Sequence, residues 1–280
     1  MDMIQTLAQE LNKDPRHVEN VVRLLDEGNT IPFIARYRKE QHGAMDDTTL
    51  RTLAERLQYL RNLAQRREEI RRSIAAQEKL TDELDAALQA AVTLSELEDL
   101  YRPYKPKRRT RATIAKEKGL EPLADAIFAQ TLKMDAPEML AQAYIDPEKG
   151  VESIEDALTG ASDILAERIS DDAEVRKSLR ALMNRRGTAQ SAAAKDEEDE
   201  KTAVYRQYFE FSQPISRLQS HQVLALNRGE REGALKVSLA VDRNEALQCI
   251  RRGVVRPGSP AMEFMKSVCD DSYDRLLEPS

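Results

Sequence analysis

Arg102, Lys105, Lys107, Arg108, Arg109, Arg111, Lys116 and Lys118 fall within one short stretch that holds a single carboxylate, Glu117. The stretch carries +7 in a chain whose formal net charge is -6, so the remaining residues total -13. Guanidinium and ammonium groups at this density suit one kind of chemistry, the displacement of counterions from phosphates without the reading of a base. Pro103 and Pro106 each remove an N–H donor and disfavour helix in the residue before them. Residues 102–109 are therefore predicted to run extended, with the basic side chains fanned outward. Tyr101 and Tyr104 lie in the same stretch and would either stack on unpaired bases or anchor the strap in the core. The same cations would also serve as internal clamps on Glu96, Glu98 and Asp99 just upstream. Salt separates the two readings. For a phosphate contact, log K falls by about 0.7 to 0.9 per phosphate as log salt rises, whereas an internal clamp binds no nucleic acid at all.

Other chemistries lack their residues. His17, His42 and His221 are scattered, no glycine-rich phosphate loop occurs, and Cys249 and Cys269 have no metal-ligand neighbours in sequence. Neither a catalytic site nor a metal nor a cofactor is expected. Asp171 and Asp172 sit where a helix begins, and capping accounts for them. No apolar run approaches the roughly 18 residues that span a bilayer, and Met1-Asp2-Met3 lacks the basic and apolar regions of a signal peptide. The expected location is cytoplasmic, with no membrane partner.

The elements that must hold the basic stretch read as helices. The 280 residues are 41% hydrophobic and 33% charged, with only 5% aromatic residues and no Trp, which disfavours a β-sandwich and suits helices with long solvated faces. Asp14-Pro15 and Gly28 bracket a short helix with Val18, Val21, Val22 and Leu25 on one face; a helix over 4–11 precedes it. Residues 31–40 give another, with an apolar start and a basic end. From Asp46 to about Gln77, Leu50, Leu53, Leu57, Leu60, Leu63, Ile70 and Ile74 mark one long spine helix. Its exposed faces carry Arg56, Arg61, Arg66, Arg67, Arg71 and Arg72, read as solvated pairs with glutamates such as Glu68 to Arg72. Residues 84–92 and 94–101 follow, the second opened by a Thr93/Glu96 capping box. Further helices are predicted over 114–118, 121–130, 136–144, 151–169, 171–184, 221–228 and 260–277, with Gly229 stopping the sixth of these. Residues 191–201, with the acidic run 196–200, read as a connector, and 235–239 alternates as a strand would. The expectation is a mainly α, multihelical architecture with a minor β element at most. Two regions are expected, 1–118 ending in the basic strap and 119–280, whose last helix ends as though more chain followed.

Thr30-Ile31-Pro32-Phe33-Ile34-Ala35-Arg36-Tyr37-Arg38-Lys39-Glu40, Leu97-Glu98-Asp99-Leu100-Tyr101, Tyr104-Lys105-Pro106-Lys107-Arg108-Arg109-Thr110-Arg111-Ala112 and Gly119-Leu120-Glu121-Pro122-Leu123-Ala124 together resemble bacterial Tex proteins. The likeness extends through Asp156-Ala157-Leu158 and residues 221–233. It departs where His221 is followed by Gln222 rather than Arg, and at Gly43-Ala44-Met45-Asp46, where the family tends to Gly-Gly-Leu-Asp. The resemblance implies the helical first part of a multidomain transcription accessory protein related to Spt6. It includes a helix-turn-helix-like portion and precedes an RNase H-like YqgF domain, helix-hairpin-helix motifs and an S1 domain. RNA or DNA would be the partner, bound weakly by these residues and more strongly through the S1 domain. The alternative is a protein-interaction scaffold that docks the RNA polymerase machinery without touching nucleic acid.

Overall fold

In a computed structural model, which describes residues 2–106, 108–194 and 203–280, the chain is mainly helical and divides into two compact units, Met1–Tyr104 and Lys105–Ser280. The division falls inside the basic stretch. Of the connector expected over 191–201, residues 191–193 belong instead to a β-strand, and the acidic run 196–200 lies outside the described residues.

The first unit contains α1 (Met3–Leu11), α2 (Pro15–Asp26), α3 (Ile31–Tyr37), α4 (Asp47–Ala75), α5 (Asp82–Ala90) and α6 (Leu94–Tyr101). Short polar side chains start five of these helices by accepting backbone N–H groups: Asp2, Asp14, Asp46, Thr81 and Thr93. Thr93 and Glu96 form the reciprocal capping box that their spacing predicts. Gly28, at φ +84°, supplies the left-handed turn after α2.

The spine helix α4 spans 29 residues, about 43 Å at the usual rise per residue. Its apolar stripe serves two cores in succession. Leu50, Leu53, Leu57 and Leu60 pack with Leu7, Val18, Val21 and Ile34, while Leu63, Ile70 and Ile74 pack with Leu88, Leu97 and Tyr101. Its polar faces are paired as the charge pattern implies. Arg56 grips Glu10 (2.6 and 2.7 Å), Arg61 reaches Asp26, Arg66 reaches Glu98, Arg71 reaches Asp85, and Arg72 reaches Glu68 at i,i+4. Arg67 differs from the rest. It is 9% exposed, and it donates to the carbonyls of Leu88 (2.9 Å) and Ala91 (2.8 Å), closing the C-terminus of α5.

The second unit is built on α10 (Ile154–Asp171), whose Ala157, Ala161, Ile164, Leu165 and Ile169 are buried. Around it pack α7 (Arg111–Glu117), α8 (Glu121–Ala129), α9 (Pro137–Ala141), α11 (Ala173–Arg186) and α14 (Met262–Ser272), the last running into a π-helical turn, Tyr273–Leu277. At Gly160 of α10 a side chain would begin 2.3 Å from Leu120 Cδ1 and 3.3 Å from Ala115 Cβ, so this glycine lets α7 and α8 approach closely.

Beyond α11 lies a three-stranded antiparallel sheet in the order β2-β1-β3, formed by β1 (Thr188–Ala193), β2 (Glu210–Pro214) and β3 (Leu235–Ala240). Gln190 of β1 faces Ser212 on one side and Ser238 on the other. The strand expected at 235–239 is β3. Its two partners and α13 (Arg243–Val254) were not anticipated from the sequence. Gly229 is corrected: it does not stop α12 (Ser220–Arg231) but lies inside it, where a Cβ would meet Leu235 Cδ1 at 2.6 Å and Tyr205 Cδ1 at 3.1 Å. The turn that ends this helix belongs to Gly233, at φ +69°.

Candidate nucleic-acid interface

The basic stretch opens inside the first unit. α6 continues directly into a 3-10 turn, Arg102–Tyr104, rather than the extended strap expected from the two prolines. Arg102 keeps helical backbone angles (φ -53°, ψ -43°) and its N–H donates to the Asp99 carbonyl. Pro103 fits because its fixed φ matches a helical turn and its missing N–H falls where the helix is already ending. Tyr101 is an anchor and not a stacking surface. It is 8% exposed, belongs to the lower core, and its hydroxyl is 2.9 Å from Ser73 Oγ. Tyr104 is half-buried against the same core, and its carbonyl accepts from Gln77 Nε2 at 2.9 Å. Tyr101 is thus committed to the core, and Tyr104 is packed partly against it.

The rest of the stretch belongs to the second unit. Lys105, Arg108, Arg109, Arg111 and Lys116 are exposed and Lys118 is half-buried; Lys107 lies outside the described residues. Thr110 fixes where the helix begins. Its hydroxyl accepts from the Thr113 N–H (3.1 Å) and donates to Glu167 Oε2 of α10 (2.9 Å), while Ala112 and Ala115 turn inward. That leaves Arg111, Ile114, Lys116 and Glu117 on the outer face of α7.

Three of the cations have partners of their own. Arg109 pairs with Glu117 (2.8 Å), Lys116 pairs with Glu121 (2.7 Å), and Lys118 donates to the Gly150 carbonyl (2.7 Å). Arg111 makes no hydrogen bond among the described residues, but its charge bears on Asp163. Burial raises that carboxyl above its ordinary value, and Arg275 and then Arg111 oppose the rise. Lys105 and Arg108 make neither a hydrogen bond nor an ion pair among the described residues. The upstream carboxylates expected to clamp them include two that are committed elsewhere, Glu98 to Arg66 and Glu96 to its own helix cap.

Among the described residues no three His, Cys, Asp or Glu side chains converge as a metal site would require. Burial pushes the Cys269 thiol up to about 12, away from the thiolate a nucleophile needs. Among the described residues no helix is long and apolar enough to cross a membrane.

The class defined by these features is a mainly α protein of two compact units, with exposed cations at the start of the second. The chain belongs to the Tex family: the Tex-like protein N-terminal domain matches residues 1–75 and the Tex central region-like domain matches residues 133–277. It is 48% identical over 236 residues to the protein YhgF of Escherichia coli (strain K12), covering 84% of this chain and 30% of that protein. It is 44% identical over 241 residues to the transcriptional accessory protein Tex of Neisseria gonorrhoeae, covering 85% of this chain and 31% of the relative. It is 32% identical over 295 residues to the S1 RNA-binding domain-containing protein 1 of Homo sapiens, covering 99% of this chain and 29% of the human protein. The chain thus spans about a third of the length of these relatives.

Proposed function

We propose that this chain is the helical part of a cytoplasmic transcription accessory protein, and that residues 105–111 touch the phosphate backbone of RNA or DNA. The observation that carries this reading is the exposure of Lys105 and Arg108 without any carboxylate beside them among the described residues, in a chain whose remaining charge is strongly negative. A cation left unpaired on an anionic body costs self-energy only where solvent is excluded. At the surface it is free to exchange water and counterions for phosphates. The neighbouring pairs Arg109–Glu117 and Lys116–Glu121 are exposed ion pairs, weak enough to open when a phosphate competes. The names of the relatives, a transcriptional accessory protein and an S1 RNA-binding domain-containing protein, agree with such a role. Within the longer protein, an S1 domain would supply the larger share of the affinity.

The test is fluorescence anisotropy of the 280-residue chain with a labelled oligonucleotide over a range of salt concentrations. The double variant Lys105→Glu/Arg108→Glu is expected to lower the slope of log K against log salt by about 1.4 to 1.8, two phosphates' worth, with the thermal midpoint unchanged. An unaltered slope with full binding refutes the contact.

A protein-docking role is favoured by a different observation, namely that Arg109, Lys116 and Lys118 are held by the protein itself. On that reading the wild-type chain binds no oligonucleotide, and the same double variant instead loses capture of RNA polymerase in a pull-down.

A further inference from the structure

Residues 31–40, apolar at the start and basic at the end, form a second feature that the basic stretch does not explain. Helix α3 buries Ile34, which leaves Phe33 and Tyr37, one turn apart, on another side of the helix. Their ring centroids are 5.2 Å apart with the planes at 47°. The Arg38 guanidinium sits 5.0 Å from the Phe33 centroid, and its Nη1 donates to the Tyr37 carbonyl at 3.1 Å. Guanidinium and two rings thus form an ordered group, and its Tyr37 side is 64% exposed. Flanking it in sequence are Arg36 and Lys39, both exposed and, among the described residues, without a hydrogen bond or an ion pair. The one carboxylate in residues 31–40 is Glu40.

The chain that follows is fastened to the rest of the unit. His17 Nδ1 and Asn20 Nδ2 both donate to the Gln41 carbonyl, at 3.0 and 3.1 Å. His42 is 1% exposed. Gly43, at φ +59°, lies so close to His17 that a Cβ there would fall 2.4 Å from the imidazole. Arg38 and Lys39 are therefore carried on a turn with a fixed path. A preformed surface of this kind loses little entropy when a ligand arrives.

We propose that Tyr37, backed by Phe33 and Arg38, is a stacking platform for an unpaired base of single-stranded nucleic acid, with Arg36 and Lys39 taking the adjoining phosphates. A solvent-facing ring edged by aliphatic side chains would suit a protein groove. This ring is flanked in sequence by exposed cations, unpaired among the described residues, and the partner that offers both a π face and negative charge at every step is a single strand. The site uses none of the residues of the basic stretch, so each surface stands or falls separately.

The chain contains no Trp, so Tyr37→Trp installs a single indole whose emission reports directly on stacking. Titration of the full chain with a 12-nucleotide oligo-dT or oligo-U is expected to quench that emission. Tyr37→Ala is expected to weaken anisotropy-measured affinity for the same oligonucleotides about tenfold, within the range that one stacked base supplies, while Tyr37→Phe stays within about twofold of wild type because the ring face is retained. Arg36→Glu/Lys39→Glu is expected to lower the salt slope by about 1.4. Because Tyr37 is exposed, its variants should keep the wild-type thermal midpoint, which separates lost binding from lost folding. Absence of quenching at saturating oligonucleotide, failure of the wild-type chain to bind it, or an unaltered affinity in Tyr37→Ala would each overturn the platform and leave the exposed ring to a protein partner. Lys105→Glu/Arg108→Glu weakens binding through the other surface but leaves the quench at saturation intact, so the two sites cannot be mistaken for each other.

Discussion

Along α4, Arg56, Arg61, Arg66 and Arg71 each reach a carboxylate on a different helix, Glu10 of α1, Asp26 of α2, Glu98 of α6 and Asp85 of α5. Lys105 and Arg108 reach none among the described residues. Both regions are rich in cations, so density alone does not distinguish a binding surface from a scaffold. The difference lies in what the fold places opposite. The spine is surrounded on several sides by shorter helices whose acidic residues come within 3 Å, whereas of the described cations in residues 105–109 only Arg109 meets a carboxylate, Glu117 of α7. An arginine with a partner ties elements together, and one without is available to a ligand.

Substitutions can break or sharpen this contrast. The largest effect is expected at Arg67, the spine arginine that is buried. Arg67→Ala strips the Leu88 and Ala91 carbonyls of their donors and should destabilise the first unit by about 2 to 4 kcal/mol, seen as a lower denaturation midpoint in urea. Next comes Lys105→Glu/Arg108→Glu, with oligonucleotide affinity reduced at least tenfold at low salt and stability within about 0.5 kcal/mol of wild type. If that variant unfolds instead, the two regions are alike and the contrast fails. Arg56→Ala removes a two-pronged pair with Glu10 and a guanidinium 4.7 Å from the centre of the Tyr59 ring. A cost of about 1 kcal/mol is expected, with oligonucleotide affinity unchanged.

The smallest effect concerns pH. Hydrogen bonding to Arg56 holds the Glu10 carboxyl below its ordinary value. A depressed carboxylate stabilises the fold above its unfolded pKa and loses that contribution as pH falls through the folded value. The gap in thermal midpoint between wild type and Glu10→Gln should therefore be open at pH 7 and close below about pH 4. A gap that persists at pH 3 would mean that Gln disturbs packing rather than charge.

Most of the helices were legible in the sequence because their ends are written in single residues, whereas α13, capped by Asp242, was missed. Asp14-Pro15, Thr93 with Glu96, and the leucine stripe of α4 each act within a turn or two, and the structure keeps them within a few residues of where they read. The sheet was much less so. β1 is Thr-Ala-Gln-Ser-Ala-Ala, with one β-branched residue and no aromatic, and it is a strand because β2 and β3 pair with it on either side. That is a long-range cause that no local pattern records. The site was legible in composition but not in geometry. Pro103 entered a helical turn because α6 was already running, and Tyr101 packs inward with Leu63, Ile70, Ile74, Leu88 and Leu97. Which cations would find carboxylates depended on helix neighbours far away in the chain, such as Glu98 lying within reach of Arg66.

The glycine inside α12 has a consequence for how the sheet end of the second unit assembles. A mid-helix glycine costs roughly 1 kcal/mol of intrinsic helix stability relative to alanine, and twelve residues are marginal as a free helix in water even without it. The Ser220–Arg231 peptide taken alone should therefore be coil. Its helicity comes from the seat that Leu235 and Tyr205 offer to a backbone with no side chain in the way, so winding of this segment awaits β3, the strand that follows it and carries Leu235, and the two should gain protection from solvent exchange in a single step.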